Sequence, residues 1–143
     1  MAAVTVRAIG AALLGAGIWI GFAGPLNVTL GLNITWGLVA VAAFIGWLVG
    51  SATRSGPRDA GPRPSANRVR AVAVGGALFA WLLGLLGVYL YSLAALPNLG
   101  PAGSTFAERM AATPIVTFYA QQVGPIDLVE VLALLVTAWW SAR

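Results

Sequence analysis

Four long apolar stretches, set so that the arginines fall almost wholly on one side when the stretches alternate direction, constrain this chain more than anything else in its sequence. They lie at 8–25, 34–52, 71–93 and 125–142; the first three carry no charge, and the last holds two acids in its opening turns. Runs of about 18 or more apolar residues are long enough to cross the hydrocarbon core of a bilayer. Only 8% of the residues are charged, against roughly 25% in an ordinary soluble domain, so a water-soluble fold would lack polar surface. The expectation is an all-α integral membrane protein, a single four-helix transmembrane bundle over residues 1–143.

Basic residues then set the orientation. The segment 53–70 carries Arg54, Arg58, Arg63, Arg68 and Arg70 against Asp59 alone, with Pro57, Pro62 and Pro64 opposing helix, and reads as a cytoplasmic loop. Arg7 and Arg143 share its side, which leaves Arg109 alone opposite and predicts both termini inside. The arginine cluster lacks the interleaved aromatics that would stack bases, so no nucleic-acid partner is expected. One basic residue before the first stretch fits a secretory signal. The stretch is too long and too rich in glycine for a signal core, and it reads as a retained helix. An Ala, Gly and Arg bias without lysine suggests a bacterial inner membrane. Trp36, Trp47, Tyr89, Tyr91, Trp139 and Trp140 fall near the span ends, where aromatic anchors are expected.

The outer loops, 26–33 and 94–124, have local logic. The first repeats Leu-Asn-Val-Thr-Leu-Gly as Leu-Asn-Ile-Thr-Trp-Gly; Asn33 is a candidate N-cap for the second span, and Asn27 with Thr29 can satisfy backbone where the chain reverses. Each copy also matches the N-x-T acceptor pattern, too short a signal to carry glycosylation. In the second, Thr105-Phe106-Ala107-Glu108 is a capping box that predicts a short amphipathic helix to about Ala112, ended by Pro114. With Phe106, Met110, Phe118 and Tyr119 as its apolar side, the segment is expected to lie on the outer surface as a lid.

Within lipid, helices associate through small residues rather than through the hydrophobic effect. Gly10, Gly17, Gly21 and Gly24 are expected to share a face of the first helix, Ala42, Gly46 and Gly50 a face of the second, and Gly76, Ala80 and Gly84 a face of the third. Asp127 and Glu130, three apart, point the same way at the start of the last span. Asp127, just after Pro125, suits the positive end of a helix. Glu130 should sit roughly 20 Å from Arg143 along the helix at about 1.5 Å per residue, inside the membrane, where an ionisable group needs a partner, a pathway or a proton. Arg109, Thr113, Thr117, Gln121 and Gln122 are its candidate partners within the chain.

Cysteine, histidine and lysine are absent, which removes thiolate, imidazole and Schiff-base chemistry and most cofactor and metal ligands. Two carboxylates on adjacent turns do not face each other across a substrate. The sequence therefore predicts no enzyme and no cofactor. It points to an accessory or structural subunit that joins other membrane subunits, or to a homo-oligomer packed through glycine, with Glu130, Asp127 and Arg109 as assembly residues. The alternative is a small proton- or cation-coupled transporter or channel subunit using Glu130.

Overall fold

The computed structural model describes residues 1–30, 35–54, 65–96 and 98–142. Its elements are α1 (Ala2–Gly21), continued by a π-helical segment Phe22–Thr29, then α2 (Thr35–Ala52), α3 (Ala66–Ala95), α4 (Phe106–Ala112), α5 (Ile115–Ala120) and α6 (Pro125–Ser141). Among the described residues there is no strand. Three helical stretches are long and apolar enough to cross a membrane: Ala2–Thr29 of 28 residues, Thr35–Ala52 of 18 and Ala66–Ala95 of 30. The helix α6 has 17 residues and packs along α2.

Several expected boundaries shift. The first helix starts at Ala2 and runs to Thr29, so Arg7 is inside it and the first half of the expected 26–33 loop is helical. Pro25 explains the change of winding. In an α-helix its ring would press on the Gly21 carbonyl, and a π turn moves that carbonyl away, with the Leu30 amide donating to Pro25 O at 3.1 Å. Thr29 therefore does not close a turn; its hydroxyl lies 2.6 Å from the Tyr91 hydroxyl. The third helix likewise begins at Ala66, taking Arg68 and Arg70 out of the 53–70 loop. A search for uncharged runs stops at a charge, whereas a helix continues through arginines whose heads reach water. Asn33, Arg58, Asp59, Arg63, Arg143 and the prolines 57, 62 and 64 lie outside the described residues.

The helices form two parallel pairs. In one, Ala8 lies against Gly76, Trp19 against Gly84 and Tyr91 against Gly24, so α1 and α3 run in the same direction. The other pair, α2 and α6, makes the most extensive contact in the molecule. The direction of α2 is opposite to that of α1, since Ile45 meets Gly15 while Val49 meets Gly76 beside Ala8. The centre is built from small and branched residues: Ala12, Ala42, Ile45, Val49, Ala77, Ala80, Leu134 and Ala138 are all buried. In lipid this packing replaces water exclusion as the source of association.

At one end Arg54, Arg68 and Arg70 gather near the start of α3 and the ends of α2 and α6. The Arg70 guanidinium stacks over Trp139, 4.9 Å from the ring centroid. Arg109 lies at the other end, on α4.

Candidate functional site

The seam between α2 and α6 positions the acids. Gly46 faces the Leu134 carbonyl and the Thr137 hydroxyl, and one turn on Gly50 faces the Ala138 carbonyl and the Ser141 hydroxyl. Without side chains at these positions the α2 backbone comes directly against α6. The α6 hydroxyls turn onto their own helix: Thr137 Oγ1 donates to Ala133 O at 2.7 Å and Ser141 Oγ to Thr137 O at 2.6 Å. Both seam hydroxyls thus keep a hydrogen bond within an apolar seam. Arg54 Nε donates to Ser141 O at 2.7 Å, placing a cation on the negative end of α6.

One turn back along that register lies Glu130, at the level of Ala42. It is 3% exposed, and among the described residues it has no hydrogen bond or ion pair. Asp127, a turn earlier, accepts from the Gly124 amide at 2.5 Å and so caps the N-terminus of α6. The two acids share one side of the helix but not one task.

Arg109 does not pair with Glu130. Its Nη1 donates to Leu93 O at 3.0 Å and its Nε to Ser104 Oγ at 3.3 Å, so it satisfies a carbonyl in the last turn of α3. Helix direction decides this outcome. Arg109 is held by α4 above α3, while Glu130 faces α2.

The expected lid divides: α4 buries none of its residues, with Phe106 and Met110 exposed, while α5 docks through Phe118. Thr105 and Glu108 form the capping box, with the Thr105 amide donating to Glu108 Oε2 at 2.7 Å and the Glu108 amide to Thr105 Oγ1 at 3.4 Å. The Thr105 amide, and then its hydroxyl, hold the Glu108 carboxyl below the usual carboxylate range. The preceding Gly103 has φ +76°, the left-handed turn that releases the chain into this cap. After α4, Pro114 opens a second short helix, α5, instead of the single helix expected. Tyr89 Oη donates to Thr113 O at 2.7 Å, and Tyr119 Oη donates to Leu85 O at 2.5 Å. Leu85 lies roughly 15 Å from the end of α3 at about 1.5 Å per residue, so α5 leans along the outer part of that helix. Burial pushes the Tyr119 hydroxyl up to about 12. Phe118 packs edge-on against Tyr89 and Tyr119. Tyr89, expected as an interface anchor, is a buried core contact.

Between this segment and the outer end of α3 lies a cavity of about 360 Å³ whose lining includes Ser92, Asn98, Thr117, Phe118, Gln121 and Gln122. Its polar groups are uncharged. The candidate partners Thr113, Thr117, Gln121 and Gln122 thus surround this cavity rather than Glu130. Ser92 and Asn98 do not stand out in the sequence, because a lone hydroxyl or amide carries no spacing signal.

The packing glycines divide. Gly46, Gly50, Gly76 and Gly84 face neighbouring helices closely. Gly17 and Gly21, with Gly10, face outward, and a Cβ at any of the three would meet nothing within 4 Å. Of the face expected on the first helix only Gly24 is covered, by Tyr91; Gly15 and Gly87, outside the expected faces, make close contacts with Ile45 and Ile20. Among the described residues no group of three or more His, Cys, Asp or Glu is placed to hold a metal ion. Comparison with protein-family models, with curated proteins and with solved structures finds no match, so this arrangement rests on its own geometry.

Proposed function

We propose that this protein is a non-catalytic subunit of a membrane assembly, either an accessory chain among other membrane subunits or a homo-oligomer, and that the outward face of α1 is its contact surface. The observation carrying this reading is the bare stripe Gly10, Gly17 and Gly21. Every contacted glycine of the helices is used inside the chain, while these three lie open where another helix can approach closely. In the same reading α6 is a fourth span, both termini are cytoplasmic, and the membrane is a bacterial inner membrane. The opposite directions of α1 and α2, the parallel run of α6 beside α2, and Arg54, Arg68 and Arg70 at one end support that topology.

Native mass spectrometry of the gently extracted protein tests the assembly. Wild type should arrive as a defined oligomer or with constant companions, and Gly17→Leu with Gly21→Leu should release it as a folded monomer. A wild-type monomer without companions overturns the reading.

Glu130 favours a second reading. A buried carboxyl without a partner among the described residues, set between apolar helices, suits a group that takes up and releases a proton or cation as a pathway opens. Proton or cation flux into liposomes should then fall to background in Glu130→Gln. Equal flux in both proteins excludes it.

A further inference from the structure

We propose that the groove between the N-terminal parts of α1 and α3 binds one anionic glycerophospholipid, an acyl chain lying over Gly75 and Gly76 and the phosphate meeting Arg68. The groove has a volume of about 270 Å³ and is walled by Ala8 and Ile9 on one side and Val72 and Phe79 on the other. It exists because two successive glycines of α3 supply no side chains there. A Cβ at Gly75 would meet no atom within 4 Å, whereas at Gly76 it would sit 3.0 Å from Val49. Gly75 is therefore the open floor and Gly76 the closed back. Phe79 and Ile9 are each 47% exposed, so the groove opens sideways toward the lipid.

Charge selects the headgroup. Positions 68, 72, 75, 76 and 79 fall on one stripe of α3, so Arg68 stands one turn beyond Val72 at the mouth of the groove. Arg68 is exposed and has no hydrogen bond or ion pair among the described residues. Arg70, two positions on, points the other way and is occupied with Trp139. The described acids Glu108, Asp127 and Glu130 belong to the outer segment and the outer half of α6, so none offsets Arg68. A guanidinium at the membrane surface beside an apolar trough matches a phosphate attached to an acyl chain, and cytoplasmic leaflets supply anionic lipid.

The test uses the full chain in detergent micelles doped with equal amounts of phosphatidylglycerol and phosphatidylcholine, with retained lipid read by native mass spectrometry. Wild type should keep one phosphatidylglycerol, favoured about fivefold over phosphatidylcholine, the scale of one arginine near an anionic surface. Arg68→Gln should remove the preference, and Gly75→Leu should lose both lipids because its side chain fills the floor. Leu132→Ala, on the lipid side of α6, should leave retention unchanged. Equal retention of the two lipids by wild type, or a preference unaltered in Arg68→Gln, overturns the proposal. So does a Gly75→Leu protein that keeps its lipid, or one that changes oligomeric mass instead, since the groove would then seat a second copy. If Gly75→Leu does not fold, the result for Arg68→Gln decides.

Discussion

The α2–α6 seam and the outward face of α1 are made of the same residue type and do opposite things. Gly46 and Gly50 are covered by α6 carbonyls and hydroxyls, while Gly10, Gly17 and Gly21 are covered by nothing among the described residues. A glycine stripe therefore records that a backbone can be approached, and not by what. At the seam the approach is internal and fixes α6 in parallel with α2. On α1 it is open, and in the proposed reading another molecule takes that place.

The largest expected effect breaks the seam. Gly46→Leu forces a branched side chain into the Leu134 carbonyl and should destabilise the protein by about 3 kcal/mol, at the upper end of the usual range for overpacking. Thermal unfolding in detergent reads it, and a melting temperature equal to wild type would mean that the two helices are not in this register. The matching change on the other face, Gly17→Leu, should leave that melting curve in place and weaken self-association or partner capture by at least about tenfold, since it removes a close helix approach. Loss of folding in Gly17→Leu would erase the distinction between the two faces.

A smaller effect sharpens the seam. Arg54→Gln removes a charged donor from Ser141 O and should cost about 1 kcal/mol or less, because the end of the helix is near water. The change should appear as faster amide exchange in the last turn of α6, with the Gly46 region unaltered. Exchange rising along the whole helix would give Arg54 a larger share than its single bond implies.

The smallest effect lies at α4, which touches neither face. Glu108 has a depressed pKa in the folded state, so its contribution to the cap is present above the ordinary carboxylate pKa. It is lost as pH falls through the lower, folded value. Fraying of α4, followed by NMR on acidification, should occur in that window. Assembly through α1 should not respond to it, and a coincident change in oligomeric mass would link two regions that the fold keeps apart.

Sequence reasoning located the apolar helices, the capping box from Thr105 to Glu108 and the cap formed by Asp127, because each depends on residues a few positions apart. Charge does not mark the ends of the first and third helices, which run on through Arg7, Arg68 and Arg70, and nothing in the spacing behind Pro114 signals α5. The glycine faces were half legible. Gly24, Gly46, Gly50, Gly76 and Gly84 pack as their spacing suggests, but Gly87 carries no such signal and Gly10, Gly17 and Gly21 turn outward. Arg109 reaches Leu93 and not Glu130, since which helix end an arginine of a connecting segment reaches depends on where that segment is tied.

By itself the sequence determined that this chain is helical, apolar and suited to a membrane, because length, hydropathy and charge act on each segment independently of the others. Only the tertiary structure decided that like-directed helices pair, which glycines are covered, and that Glu130 is buried without a partner among the described residues. Those outcomes depend on the rotation of each helix about its axis. A period of 3.6 residues gives every helix a face, and only contact with its neighbours decides where that face points.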